Sequence, residues 1–320
     1  MIAIGIDMSK NTFHAAFDEA TVRIFKNTSE GIEAFLGELE KRTMEKTDAT
    51  IGVEATGVYH LALCAHARKA GWRIVVINPL ETYYVIRSQS LRQVKTDKKD
   101  ALAIRMVAAE GHGYPFTDTD DLLALKSLVV EREGLVAMRA MTKNRMESHA
   151  VKQEAVAPIM HDSFSEILPV LRKEIRTIES KFALYEPGAQ RLLRSIPGIG
   201  ITTAAALVAF VGDINRFPSP EKLVAYIGMD CRVHESGTSI KGKGYISKRG
   251  NSYLRRMLFN AAFIARQKNP DLKTYFKKKK SEGKHYFSAL CAVERKLIHL
   301  IWAVWKRGTP YELRESTATT

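Results

Sequence analysis

Four carboxylates in the first hundred residues have the types and spacing of a divalent-metal site. Asp7 ends the apolar run Ile2-Ala3-Ile4-Gly5-Ile6, and Glu54 closes a second apolar run from Ala49 to Val53. Two strands that neighbour in one sheet would then present an acid at the same end. Asp97 and Asp100, in Thr96-Asp97-Lys98-Lys99-Asp100-Ala101, share one face at the start of a helix. Taken singly, each has an ordinary use: Asp7 as a turn residue or cap, Asp97 and Asp100 as complements to a helix dipole, with Asp97 capping. Brought together, they would repel one another and raise each other's pKa unless a cation lay between them. Oxygen donors of this kind favour Mg²⁺ or Mn²⁺, and two such ions ~4 Å apart are the usual apparatus of phosphodiester cleavage. As a set, the four read as metal ligands.

A second group of residues could handle phosphate. Ser236 precedes Gly237 in a polar loop, which alone is turn chemistry. With Lys241, Lys243, Lys248 and Arg249 around it, the hydroxyl could attack a phosphate that those cations hold. Ser239 and Ser247 are rival hydroxyls, Ser247 standing where a role in helix entry is natural. The helix that follows, from about 252 to 267, carries Arg255 and Arg256. Upstream, Leu193 to Ala205 reads as helix, tight turn, helix. Gly198 and Gly200 permit the turn and would leave N–H groups open to a phosphate at the second helix's start. The alternative is a hairpin packed through Ile196, Ile199 and Leu207. Lys277 to Lys280 form a run flanked by Tyr275, Phe276, Tyr286 and Phe287, which reads either as charge with stacking platforms or as a solvated face beside core aromatics.

The elements that must position these groups follow from periodicity. Residues 2–6, 13–17 and 22–25 read as strands and 30–42 as an amphipathic helix with Ile32, Phe35, Leu36 and Leu39 inward. Then come a strand at 49–53, a helix at 59–70 ending at Gly71, and a strand at 72–77 stopped by Asn78-Pro79. Three hairpin-like strands followed by β-α-β make an α/β domain with a mixed sheet. From about 120 to 186 the pattern turns helical. Leu171, Ile175, Ile178, Phe182 and Tyr185 are spaced as a short coiled-coil seam, which would serve a dimerising arm or an intramolecular helical hairpin. Pro187-Gly188 marks a boundary before a helical, basic third region. The expected division is 1–118 (α/β), 119–188 (helical, coiled-coil) and 189–320 (mainly helical, with the helix-hairpin-helix-like turn).

Charge is unevenly placed. The chain of 320 residues carries 49 Lys+Arg against 35 Asp+Glu, a net +14. Residues 241–320 hold 19 basic and 5 acidic residues, so the last quarter carries the whole excess. That suits a polyanion such as nucleic acid. The longest apolar stretches, 202–211 and 297–305, fall far short of the ~20 residues that span a bilayer. The start, Met1-Ile2-Ala3-Ile4, lacks a signal-peptide pattern, so a cytoplasmic location with no membrane partner is expected. Cys64, Cys231 and Cys291 are scattered, with no CxxC, and suggest neither a zinc site nor a disulfide framework.

The order of motifs resembles one family. Gly-Ile-Asp-x-Ser-Lys at 5–10, Glu-x-x-Gly-x-Tyr at 54–59, Thr-Asp-x-x-Asp-Ala at 96–101, Ile-Pro-Gly-Ile-Gly at 196–200, Ser236-Gly237 and Ile-Ser-Lys-x-Gly-Asn-x-x-Leu-Arg at 246–255 look like a DEDD insertion-sequence transposase. More narrowly, the chain resembles the serine-using, bridge-RNA-guided recombinases related to the pilin-gene inversion recombinase. It departs from their usual Gly-Leu-x-Pro, having Gly228-Met229-Asp230-Cys231. The resemblance implies a RuvC-like, RNase H-type first domain, a coiled-coil middle and a serine-bearing transposase domain. It implies that Asp7, Glu54, Asp97 and Asp100 bind Mg²⁺ and that Ser236 forms a covalent phosphoserine with DNA. It further implies a dimer or tetramer whose site draws on two subunits, with donor and target DNA specified by a non-coding RNA. Two other readings stand beside it: a hydrolytic, Mg²⁺-dependent RuvC-like nuclease in which Ser236 is only a turn residue, and a nucleic-acid-binding protein without catalysis.

The charge distribution predicts phosphate-dominated affinity. The logarithm of the binding constant for DNA should fall linearly with the logarithm of salt, with a slope steeper than about −3 if four or more phosphates are neutralised. Fluorescence anisotropy across a salt series measures it, and a flat line would refute the polyanion assignment.

Overall fold

The computed structural model describes residues 2–55, 57–89, 96–156, 163–232, 235–236, 240–241, 245–248 and 250–313. Alternating apolar residues at the start build an antiparallel ribbon of β1 (Ile2–Met8), β2 (Thr12–Ala16) and β3 (Val22–Lys26). Helix α1 (Ser29–Glu40) follows, capped by Thr28, whose hydroxyl accepts from the Gly31 N–H, and it buries Ile32, Phe35, Leu36 and Leu39 as the spacing predicts. Next come β4 (Ala49–Glu54), α2 (Leu61–Lys69), β5 (Arg73–Ile77), α3 (Pro79–Gln89) and α4 (Asp97–Ala109). Strand β4 runs parallel to β1 and to β5. A two-residue strand β6 (Tyr114–Pro115) adds antiparallel to β5, giving a mixed sheet of order β3-β2-β1-β4-β5-β6. The sequence reading gave the mixed sheet but neither α3 nor β6.

Both faces of this sheet are covered. Ile4, Ile6 and Phe13 pack with Phe35, Leu39 and Leu63 on one side. On the other, Ala3, Val75 and Ile77 meet Ile104, Val107 and Ala108 of α4. The α4 side is built on missing side chains. A Cβ on Gly5 would lie 2.1 Å from the Ala101 carbonyl oxygen and 2.2 Å from the Arg105 nitrogen, and one on Gly52 would lie 2.7 Å from the Ala108 Cβ. Gly5 and Gly52 are direct partners in the parallel β1–β4 pair. Their lack of side chains lets the helix rest on the backbone of the two central strands.

Residues 1–119 form one unit and 120–320 another. In the second, α5 (Asp120–Val156) and α6 (Ser163–Lys181) are followed by α7 (Pro187–Arg194), α8 (Ile201–Val211) and α9 (Pro220–Ile227). Then come β7 (Cys231–Arg232), β8 (Glu235–Ser236), β9 (Ile240–Lys241) and β10 (Tyr245–Ile246), with β10 paired to β7 and β9 to β8. The stretch read as a polar loop thus contains two short antiparallel ladders. Helices α10 (Ser252–Lys268), α11 (Pro270–Ser281) and α12 (Tyr286–Arg307) complete the unit.

The expected boundary near 188 does not separate two cores. Leu122, Leu125 and Val129 of α5 and Ile178 of α6 share one cluster with Leu207, Leu258 and Leu297. Helix α8 is apolar nearly all round and buries Thr203 through Ala209, so it needs α5 as cover. The seam at Leu171, Ile175, Ile178 and Phe182 is buried as α6 packs along α5 of the same chain, with Tyr185 half-buried beyond it. Arg132 ties the two helices to one another through Glu179, at 2.8 Å. This is the intramolecular helical hairpin. Among the described residues no helix is long and apolar enough to cross a membrane.

One acid lies inside the second core. Glu294 of α12 is 1% exposed, and burial pushes its carboxyl up to about 8 against the partial opposing pull of Arg255.

Two stability predictions follow from these packings. Gly5→Ala should cost roughly 2–4 kcal/mol because the new methyl meets rigid helix backbone. Gly37→Ala, in α1 with nothing within 4 Å of its Cβ, should instead stabilise by about 0.5–1 kcal/mol; equal denaturation midpoints for the two would overturn the packing account. For Glu294 the folded pKa exceeds the unfolded one, so the folded state holds a proton that the unfolded state has lost between about pH 4.5 and 8. Stability should fall as pH rises through that window, and Glu294→Gln should flatten the dependence in urea titrations at pH 5, 6, 7 and 8.

Candidate functional site

The glycine-laid contact between α4 and the sheet fixes the end of β1 under the start of α4. Two residues beyond Gly5 and Gly52, on the same face by strand alternation, stand Asp7 and Glu54. The first turn of α4 brings Asp97 and Asp100 to that end. Thr96 caps the helix, its hydroxyl accepting from the Lys99 N–H at 3.3 Å, so Asp97 does not have the capping role that would have explained it structurally.

Three side chains converge here. Asp7, His14 and Asp97 each offer a ligand atom, and these atoms all lie within 4.8 Å of one another. His14 Nδ1 is 3.7 Å from Asp97 Oδ2. Of the four predicted carboxylates, the structure therefore joins Asp7 and Asp97 directly. Glu54 is half-buried at the end of the strand beside Asp7, and Asp100 is buried within α4's first turn; neither belongs to the close triplet. The sequence reading did not include His14. Its signal is the hairpin register, in which Asp7 stands directly opposite His14. The register is set by a tight turn in which the Ser9 N–H donates to the Thr12 carbonyl at 2.9 Å.

The donor set has the chemistry of a divalent-cation site. Two carboxylates supply hard oxygen, which suits Mg²⁺ and Mn²⁺, while an imidazole nitrogen is more at home on Mn²⁺ or a later transition metal. Cys64 takes no part: it is fully buried, and desolvation pushes its thiol up to about 12.

In the second unit, Ser236 lies in β8, its backbone opposite Ile240 of β9. The side chains of Ser236 and Lys241 lie outside the described residues, as do Ser239, Lys243 and Arg249 entirely. Backbone hydrogen bonds close the base of this segment. The Ser247 N–H donates to the Asp230 carbonyl at 2.8 Å and the Lys248 N–H to that of Gly228 at 3.0 Å. The Ser247 hydroxyl donates to the Asp230 carboxylate, and Asn251, not Ser247, caps α10. Ser247 thus closes the loop on itself, and the helix-entry role expected for it falls to Asn251. Lys248 is exposed and holds the left-handed conformation at φ 56°.

Several residues expected to touch nucleic acid are used internally. Arg255 Nη1 donates to the carbonyls of Ile227 at 3.0 Å and Gly250 at 2.6 Å, joining the two ends of the serine segment. Gly250 is the close-approach residue there, since a Cβ would sit 2.0 Å from the Tyr226 carbonyl oxygen. Arg256 pairs with Glu133 and lies over the Tyr253 ring. Gly198, at φ 102°, is filled from behind by α10: a Cβ would meet Ala265 Cβ at 2.7 Å and the Ala261 carbonyl at 2.8 Å. Ile196, Ile199 and Leu207 are buried in the same core, so this side of the turn is the packed hairpin. Gly200 is exposed at the N-cap of α8, with nothing within 4 Å of its Cβ position.

Comparison with known proteins brings both units into one family. A family model described as "Transposase IS116/IS110/IS902 family" matches residues 190–277, and a second, described as "Transposase" and of the DEDD type of IS110, matches residues 4–152. The pilin gene-inverting protein of Moraxella bovis is 28% identical over 316 residues, covering 97% of this chain and 98% of that protein. The transposase for insertion sequence element IS1111A of Coxiella burnetii is 38% identical over 251 residues, covering 68% of each. The transposase for IS1328 of Yersinia enterocolitica is 25% identical over 344 residues, covering 96% of this chain and 98% of that protein. The 38% identity to the IS1111A transposase over two thirds of both chains, with transposase family models matched in each unit, places this chain in the IS116/IS110/IS902 family of transposases.

Proposed function

We propose that the protein is a DNA recombinase of an insertion sequence that cleaves and rejoins strands with a Mg²⁺-bound carboxylate site and Ser236 as nucleophile. The observation that carries this reading is the convergence of Asp7, His14 and Asp97 at the sheet end where Glu54 and Asp100 also lie. We read the first unit as RuvC-like. Asp7, Glu54, Asp97 and Asp100 would hold Mg²⁺ or Mn²⁺, which when bound polarises the scissile phosphate and offsets the carboxylate charge. His14, opposite Asp7 and beside Asp97, orients the Asp97 carboxylate.

Ser236 Oγ attacks phosphorus, a P–O bond to the sugar breaks, and the serine proton passes to solvent or to the departing oxygen. The covalent phosphoserine keeps the phosphodiester energy, so rejoining to a new strand needs no external energy source. A serine hydroxyl is a poor nucleophile until it is oriented and its charge stabilised, and Lys241, Lys243, Lys248 and Arg249 are the residues we assign to that task. The Asp230–Ser247 and Arg255 contacts support the reading by anchoring both ends of the serine segment. The motif order that resembles bridge-RNA-guided recombinases supports an RNA partner specifying donor and target DNA. We assign a homodimer or homotetramer in which the carboxylates of one subunit serve the serine of another.

Suicide DNA substrates resolved on a denaturing gel test the assignment. Wild type should give a covalent protein–DNA adduct. Asp7→Asn and Asp97→Asn should abolish it with the thermal midpoint unchanged. Ser236→Ala should bind DNA and metal yet form neither adduct nor recombinant, while Ser239→Ala and Ser247→Ala retain at least partial activity. Mg²⁺-dependent cutting by Ser236→Ala with no adduct in wild type would make the protein a hydrolytic nuclease; full recombination by Asp7→Asn would remove the metal site.

A further inference from the structure

The basic C-terminal helices carry an aromatic surface that neither the carboxylates nor Ser236 uses. Phe259 and Phe263 lie one turn apart on α10, and Tyr286 and Phe287 open α12. The Phe287 ring stacks against Phe259, with centroids 6.4 Å apart and planes at 28°. Arg266 continues the patch: its guanidinium lies 4.6 Å from the Phe263 centroid, 5.0 Å from Phe276 and 5.5 Å from Tyr286.

The aromatic residues divide into two sets. Phe276, Tyr286 and Tyr275 are half-buried against the core, and Tyr275 is flanked by Lys279 and Lys296. Phe287 and Phe263 are not: they are 58% and 42% exposed, and beside Phe263 the Ile264 side chain is 42% exposed. Two large exposed rings in one connected cluster are costly to leave in water and mark a surface made for contact. Its surroundings exclude an acidic or neutral apolar reading. From Arg266 to Lys284 the chain has 8 basic residues and 2 acidic ones, and one of those acids, Glu282, is paired with Lys279. Flat exposed rings among mostly unneutralised lysines suit a polyanion whose monomers are themselves flat.

We infer that Phe287 and Phe263, with the lysines of α11, form a stacking platform for single-stranded nucleic acid. A duplex keeps its base faces inside the stack and offers only phosphates to this surface. An unpaired strand offers both, so the platform should discriminate between them. The rings supply sequence-tolerant stacking and the lysines supply salt-dependent attraction, two contributions that separate in a titration.

Full-length protein in EDTA, titrated against labelled 20-mers of dT and of U and against a duplex of equal length across a salt series, tests the inference apart from the metal site and Ser236. Phe287→Ala should weaken single-strand binding about tenfold with the salt slope unchanged, and duplex binding by less than twofold. Phe287→Tyr should restore it, showing that the ring face is what matters. Lys277→Gln with Lys278→Gln should flatten the slope instead. The dT and U arms show whether DNA or RNA is the preferred strand. Unchanged single-strand affinity in Phe287→Ala, or equal losses for single strand and duplex, would overturn the platform. So would a shift of oligomeric state in sedimentation accompanying Phe287→Ala, which would assign the rings to contact between copies of the chain.

Discussion

Everything chemical in the first unit depends on how closely one helix lies on a sheet. With Gly5 and Gly52 side by side in the two central strands, α4 settles onto bare backbone. Any side chain at either position would lift the helix by the thickness of a methyl group or more. The first turn of α4 would then rise away from the strand ends, and Asp97 would leave the reach of Asp7 and His14. Close packing here positions charge: three polar side chains are held together by apolar contacts two to four residues away. The cost of gathering carboxylates is met by the rigidity of what lies beneath them.

The same economy appears in the second unit. The segment that carries Ser236 is held at its base. Ser247 donates to Asp230, the Lys248 N–H to the Gly228 carbonyl, and Arg255 to the carbonyls of Ile227 and Gly250. Hydrogen bonds made in a partly buried place stiffen the backbone that they join. Within Gly228-Met229-Asp230-Cys231, Asp230 supplies both the carboxylate and the carbonyl that Ser247 takes up.

Much of this was legible in the sequence, for physical reasons that differ from element to element. Strands β1 to β5 and helices α1 and α2 were readable because their apolar periods are regular and their ends are marked by Gly71 and Asn78-Pro79. The placement of the four carboxylates was readable because strand ends and a helix start are local features. His14 was not, since its importance arises only from the register of a hairpin. Arg255 and Gly198 were read as facing nucleic acid because an arginine on a basic helix and a glycine in a turn look the same from sequence whether they face solvent or a neighbouring helix. The seam on α6 gave its spacing but not its partner; α5 of the same chain lies there because 37 continuous helical residues bring it alongside. The placement of β6 was hidden by its proline, which ordinarily argues against a strand.

That proline has a further effect. The sheet has two open margins, and β6 forms one of them with only Tyr114 and Pro115. A margin of unpaired amides invites another chain to dock strand against strand, the first step of fibrous self-assembly. Pro115 has no amide hydrogen to offer and the strand is too short to template a partner. At that margin the protein is therefore protected from polymerising through its own six-stranded sheet.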